Sequence, residues 1–138
     1  MKQIILNLNL LDMEFPTNIK YTNEHEWIRL EGDIAYIGIT DYAQQQLGDI
    51  VFIDVPTEGE TLEKGETFGT VEVVKTVSDL FLPIGGEVME VNSQLEEHPE
   101  LVNQDPYGEG WIIKLKPTNT DEMNELLDAA AYKEIINE

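Results

Sequence analysis

The sequence predicts a mostly β domain, a sandwich or barrel of short strands with one short internal helix and a helix near the C terminus. From Tyr21 to Leu115, short runs rich in β-branched and aromatic residues alternate with turn residues, a spacing typical of such folds. After residue 120, apolar residues recur at helical spacing instead. The length of 138 residues and the hydrophobic fraction of 41% fit a single domain with a real core.

Seven strands are predicted from their β-branched and aromatic content, at residues 26–30, 34–39, 50–55, 67–74, 80–84, 87–91 and 111–115. The first two flank Glu31-Gly32-Asp33, which indicates a hairpin. Thr40 can cap a short helix over residues 40–47, and Gly48 can end it. Gly85-Gly86 predicts a sharp turn or positive φ. Residues 57–65 and 92–110 are turn-rich or loop-like, the latter with a helical turn near Leu95.

The tail contains the apolar positions of an amphipathic helix over about residues 121–136. Met123, Leu126 and Leu127 are followed at helical spacing by Ala130 and Ala131. Thr118 or Thr120 is available as its N-cap. We therefore expect this helix to pack on the β structure as part of one domain, residues 16–138, with residues 1–15 as an N-terminal extension.

The composition limits the possible partners. The net charge is −20, from 28 acidic and eight basic residues, and such a surface repels nucleic acid and anionic membranes. A neutral or basic protein partner fits better, although solubility alone would also explain the charge. No apolar run approaches membrane-spanning length, and Asn7 and Asn9 interrupt the opening apolar stretch, so we expect a cytoplasmic protein. There is no cysteine, so thiol chemistry would require sulfur from a cofactor.

Lys75 is the candidate functional residue. It lies between two predicted strands, where a hairpin would present it to solvent, and acylation of its amine would make it the stem of a long flexible arm. The local pattern alone favours an ordinary surface lysine that solvates a turn or protects a strand edge.

Four segments, in matching order and spacing, resemble the H protein family of the glycine cleavage system. They are residues 20–27, residues 38–44 with 47–51, residues 71–75 with 77–80 and 86–88, and residues 103–111. The resemblance covers about residues 16–137. It departs from the family mildly at Val73 and Val74, since a small residue often fills the first of these positions.

The resemblance implies a flattened barrel-sandwich hybrid of the lipoyl/biotinyl type and a carrier that is not an enzyme. Lys75 would carry lipoate in covalent linkage, and Glu72 and Gly86 fall where the family's lipoylating enzymes are sensitive to change. The implied partners are glycine decarboxylase (the P protein), an aminomethyltransferase (the T protein), dihydrolipoyl dehydrogenase (the L protein) and a lipoate ligase or lipoyl transferase. The carrier would take the aminomethyl group of glycine from the P protein to the T protein, and the dithiol to the L protein.

Other residues predict no catalytic or metal site. Strand alternation would place His25 and its flanking glutamates on opposite faces, and His98 lies in a distant acidic loop, so we predict no metal. Glu24, His25 and Asp79 are candidates to contact the arm, with a structural role favoured for His25.

Three alternatives remain open from the sequence. A lipoate relay would modify Lys75 equally. A lipoyl or biotinyl domain of another complex is disfavoured by Val74 and Thr76 beside the lysine. A plain interaction domain would leave Lys75 inert.

Overall fold

The computed structural model describes residues 13–137, so most of the predicted N-terminal extension lies outside the described part of the chain. The strands are β1 Lys20–Tyr21, β2 Glu26–Glu31, β3 Ile34–Ile39, β4 Ile50–Asp54, β5 Thr61–Leu62, β6 Thr67–Val73, β7 Val77–Phe81, β8 Gly86–Val91 and β9 Ile113–Pro117. The α-helices are α1 Asp41–Leu47, α2 Leu101–Gln104 and α3 Ala129–Ile136, and 3-10 helices span Ser93–Glu96 and Thr120–Glu125.

The strands form two antiparallel sheets. The larger has six strands in the order β1-β2-β3-β9-β8-β5, and the smaller has three in the order β4-β6-β7. The predicted mostly β fold, with its internal and C-terminal helices, is confirmed. The sheets are two separate layers and do not close into a continuous barrel.

The short internal helix forms as predicted. The Thr40 hydroxyl accepts a hydrogen bond from the Ala43 N–H at 3.1 Å, and the helix ends at Gly48, whose φ of 85° is easily adopted only by glycine. The helical turn near Leu95 is also present, as a 3-10 helix.

The C-terminal helix is shorter than predicted. Residues 120–125 form a 3-10 helix, and α3 begins only at Ala129. The predicted caps are wrong: Asn119 accepts from the Asp121 N–H, and Asp128 accepts from the Ala131 N–H. Asn and Asp are stronger N-caps than Thr, which is a reason for two short helices here rather than one long helix.

Several strand boundaries also differ from the prediction. β7 begins at Val77 rather than Leu80, and β9 runs two residues later than expected. Gly85 and Gly86 do not adopt positive φ, and Gly86 is the first residue of β8, paired on both sides. A short apolar run predicts the existence of a strand more reliably than it predicts the residue at which the strand ends.

Two apolar clusters fill the interior. The larger packs both sheets together and includes Ile37, Phe68, Ile84 and Leu115. The smaller lies under α3, where the Tyr132 ring stacks on Tyr21 with centroids 4.7 Å apart. Every buried side-chain nitrogen and oxygen in the described residues has a hydrogen-bond partner, as a well-ordered interior requires.

The described end of the N-terminal extension contacts the body of the protein. The Glu14 N–H donates to the Asp41 carboxylate at 3.0 Å, and the Glu14 carbonyl accepts from the Tyr107 hydroxyl at 2.8 Å. The Phe15 ring lies 6.1 Å from Tyr132. None of the helices within residues 13–137 is long and apolar enough to cross a membrane.

Candidate functional site

Lys75 lies at the tip of the β6–β7 hairpin, as predicted. The ladder ends where the Val73 N–H donates to the Thr76 carbonyl at 2.9 Å, which leaves Val74 and Lys75 outside it. Lys75 and the residues on either side of it are exposed. A modifying enzyme can therefore reach the amine without unfolding any part of the sheet.

Glu72 and Asp79 also lie on this hairpin, on the outward face of the three-stranded sheet. Phe52, Glu72 and Val77 occupy one row across β4, β6 and β7. Asp79 lies in the next outward row, and both carboxylates are exposed. The structure thus brings Glu72 close to Lys75 and puts Asp79 further along the same face.

Gly86 lies in the other sheet and is buried. A Cβ at this position would be 2.4 Å from the Lys116 carbonyl oxygen and 3.0 Å from the Leu115 Cγ. The close approach of β9 to β8 therefore gives this glycine a packing role, whatever its effect on lipoylation.

A cleft of about 530 Å³ opens between the β1–β2 turn and the segment that leads to α3. Most of its wall is apolar, and Lys64 and Glu125, which form an ion pair, lie in it. The lining residues are Tyr21, Thr22, Asn23, Glu24, Glu26, Lys64, Gly65, Phe81, Leu82, Pro83, Glu125, Leu126, Leu127 and Ile135. Phe81 is six residues from Lys75 along β7, so no more than about 20 Å of extended chain separates this wall from the hairpin tip.

Glu26 is a buried carboxylate of the cleft that was not among the residues predicted to contact the arm. Its side chain is 2% exposed, and its carboxylate accepts from the Thr22 hydroxyl at 2.7 Å and from the Phe81 N–H at 3.2 Å. These bonds favour the charged form, but burial outweighs them and raises the pKa of Glu26 to about 7. The feature of the sequence that could have indicated a buried Glu26 is its position directly before the apolar pair Trp27-Ile28, at the start of a strand.

His25 does not lie in a strand, so the expected alternation with its neighbours is wrong. It occupies a turn with a φ of 73°, the one non-glycine residue in the described chain with positive φ. Its Nδ1 lies 2.9 Å from the Tyr132 hydroxyl, which also bonds the Thr40 hydroxyl at 2.7 Å. Burial lowers the pKa of His25. These contacts agree with the structural role favoured for His25.

Of the three residues predicted to contact the arm, Glu24 alone lines the cleft. His25 turns its ring toward Tyr132, and Asp79 lies on the outer face of β7. Contact of the arm with these residues stays a prediction.

The raised pKa of Glu26 predicts a pH-dependent stability. Because its folded pKa of about 7 exceeds the unfolded value near 4.5, the folded state binds the proton more tightly. The resulting stabilisation is complete below the unfolded pKa and is lost as the pH rises through the folded pKa, by roughly 3 kcal/mol. Urea denaturation of wild type and Glu26→Gln across this range should show this loss in the wild type only. Glu24→Gln is the control, and equal pH dependence of wild type and Glu26→Gln would contradict the assignment.

Comparison with known proteins identifies the family. The model of the glycine cleavage H-protein family matches residues 19–138. The chain belongs to the glycine cleavage H-protein family. The glycine cleavage system H protein of Bacteroides fragilis is 73% identical over 125 residues, 91% of this chain and 99% of the relative. That of Bacteroides thetaiotaomicron is 72% identical with the same coverage.

The fold agrees with a solved structure of the same family. The crystal structure of a glycine cleavage system H protein from Mycobacterium marinum superposes with a TM-score of 0.81 at 40% identity, over 90% of this chain and 100% of that chain. The family is the lipoyl carrier of the glycine cleavage system and works with the other components of that system. Its members are carriers rather than catalysts.

The segment formed by residues 103–111 connects several elements of this fold through hydrogen bonds. The Asn103 side chain accepts from the Ile50 N–H at 3.0 Å and donates to the Gln44 side chain and the Gly48 carbonyl, both at 2.9 Å. The Pro106 carbonyl accepts from the Trp27 indole at 3.0 Å. The segment therefore fixes α1 and β4 relative to the larger sheet.

Proposed function

We propose that Lys75 of this chain carries a lipoyl group in amide linkage to its Nζ. The observation that carries the proposal is the position of Lys75 at the exposed tip of the β6–β7 hairpin, in a chain of the lipoyl carrier family. When bound, the group supplies a cyclic disulfide that accepts the aminomethyl remnant of glycine and ends as a dithiol. The hairpin supplies a fixed stem that extends away from the sheet.

The partners we assign are the P, T and L proteins, which would load, unload and reoxidise the carrier in turn, together with the enzyme that attaches lipoate. A tether raises the effective concentration of its group at each partner's site without any change in the carrier's fold. The net charge of −20 would speed encounter with partners whose binding faces are basic.

We assign the cleft beside the β1–β2 turn to shelter the cargo between partners. Its apolar wall can cover a hydrocarbon arm, and Glu24 and Glu26 supply negative charge for an ammonium group at one end. The wall begins at Phe81, on the strand that leads from Lys75. A cation beside Glu26 would hold that carboxylate in its charged form.

Intact mass before and after incubation with lipoate ligase, lipoate and ATP tests the modification. We expect one lipoyl addition, located at Lys75 by peptide mapping. The modified protein is then assayed for glycine cleavage with the P, T and L proteins, and full turnover is expected. A chain that is fully lipoylated but inactive with all three partners would contradict the glycine cleavage role and favour a lipoate relay.

A further inference from the structure

Thr22 begins the turn between β1 and β2, on the wall of the cleft. Its hydroxyl oxygen accepts hydrogen bonds from two backbone N–H groups, those of Glu24 and Glu26, each at 3.1 Å. A threonine hydroxyl has two acceptor lone pairs and one donor proton. The backbone of the turn therefore occupies both acceptor positions, and the single proton is left for one further partner.

That partner is the carboxylate of Glu26. The Thr22 hydroxyl donates to its Oε1 at 2.7 Å, and the Phe81 N–H donates to its Oε2 at 3.2 Å. A backbone N–H can only donate, and the Thr22 hydroxyl has no free lone pair with which to accept a proton from Glu26. Both partners therefore favour the charged form of a side chain that is almost fully buried.

Among the residues that the structure describes, no cation forms an ion pair with Glu26. Burial and the charge of Glu24 raise the pKa of Glu26, whereas the hydrogen bonds from Thr22 and Phe81 lower it. The other titratable side chains around it are His25 on the same turn, Tyr132 of α3, and Lys64 with Glu125, which pair with each other. A buried carboxylate that is surrounded by donors but lacks a cation suits a cationic ligand.

We propose that Thr22 is a positioning residue that fixes the Glu26 carboxylate on the cleft wall as an acceptor for the ammonium group of the cargo. This inference rests on the proposed function, which places the cargo in this cleft. Thr22 acts through Glu26: the bond that it donates orients Oε1 and stabilises the charged form. The two bonds that it accepts hold the turn that carries Glu24 and Glu26.

Thr22→Val tests the role of the hydroxyl, because valine keeps the β-branched shape and removes the donor. We expect the proton affinity of Glu26 to rise roughly ten-fold, so the midpoint of its titration should move up by about one pH unit. The NMR resonance of the Glu26 carboxyl carbon, followed in folded protein without lipoate, measures this midpoint. Thr22→Ser retains a hydroxyl and should restore the wild-type titration.

Thr57→Val is the matched control. The Thr57 hydroxyl donates to the Phe68 carbonyl at 2.7 Å, and Thr57 does not line the cleft. Its loss should lower the stability by removing a hydrogen bond of the same length, without moving the Glu26 titration. An unchanged midpoint in Thr22→Val, or an equal shift in Thr57→Val, would overturn the positioning role of Thr22.

A second measurement needs no variant. In the wild type, the bond to Glu26 should protect the Thr22 hydroxyl proton from exchange with water, and the NMR resonance of this proton should shift with pH at the Glu26 midpoint. A hydroxyl resonance that does not follow the Glu26 titration would contradict the assignment.

Retention of the cargo extends the test to the lipoylated protein loaded with glycine by the P protein. Near pH 7, Thr22→Val should lose the aminomethyl group roughly five-fold faster than wild type, because about one tenth rather than one half of Glu26 would be charged. Thr22→Ser should retain it. Retention by Thr22→Val at the wild-type rate would overturn the link between Thr22 and the cargo. Equal rates of loss in wild type and Glu26→Gln would instead contradict shelter of the cargo in the cleft, which belongs to the proposed function.

Discussion

Replacement of Lys75 by arginine is expected to abolish lipoylation and, with it, all carrier activity, while the fold stays intact. The guanidinium group stays protonated in proteins and cannot provide the neutral amine that amide formation requires. Lys75 is exposed at a hairpin tip, and substitutions at such positions change the free energy of unfolding by about 0.5 kcal/mol or less. Loss of function should therefore appear without loss of stability.

Intact mass after incubation with lipoate ligase and glycine cleavage with the three partner proteins measure the two effects. Lys116→Arg is the control, since Lys116 is another exposed lysine, and its variant should be lipoylated and active. A lipoyl addition on the Lys75→Arg chain, or cleavage activity of that chain above background, would show that the arm is attached elsewhere.

The difference between these two lysines shows what the sequence could predict about the site. The position of Lys75 between two β-forming runs predicted its exposure, and the structure confirms it. Neither residue has a local pattern that distinguishes a modified lysine from an ordinary one, because both are exposed, flexible amines. The family resemblance supplied that distinction through segments that lie elsewhere in the chain.

Glu26 shows what the sequence could not predict. Its importance depends on Thr22, which is local, and on Phe81, which lies 55 residues away. The alternation of residues within a single strand cannot predict a hydrogen bond to a residue so far away in the sequence. The same applies to His25, whose ring contacts the Tyr132 hydroxyl of α3, 107 residues away in the sequence.

More of the fold than of the site could be predicted from the sequence, because the patterns that indicate strands and helices are local. Alternating apolar residues and turn residues predicted most of the strands and the internal helix with its Thr40 cap. One error falls where a long-range contact decides the outcome, at Gly86. There, a pair of glycines predicted a turn, and the close approach of β9 makes the second glycine part of a strand.

Substitution of Gly86 by alanine should therefore destabilise the protein strongly. A Cβ only 2.4 Å from the Lys116 carbonyl oxygen forces the backbones of β8 and β9 apart. Gly86 also pairs with Leu62 of β5, so the shift disturbs three strands. Overpacking of this kind costs about 1–3 kcal/mol, and a clash with backbone falls at the upper end of that range.

Urea denaturation of Gly86→Ala measures this cost, and Glu87→Ala is the control, since the neighbouring side chain on β8 is exposed. The family resemblance assigns Gly86 to recognition by lipoylating enzymes, yet its position is buried in the sheet that does not contain Lys75. We therefore expect lipoylation of Gly86→Ala, expressed per folded molecule, to approach the wild-type rate. Slow lipoylation with unchanged stability would instead require the enzyme to contact this strand directly, and the recognition surface would then extend beyond the hairpin.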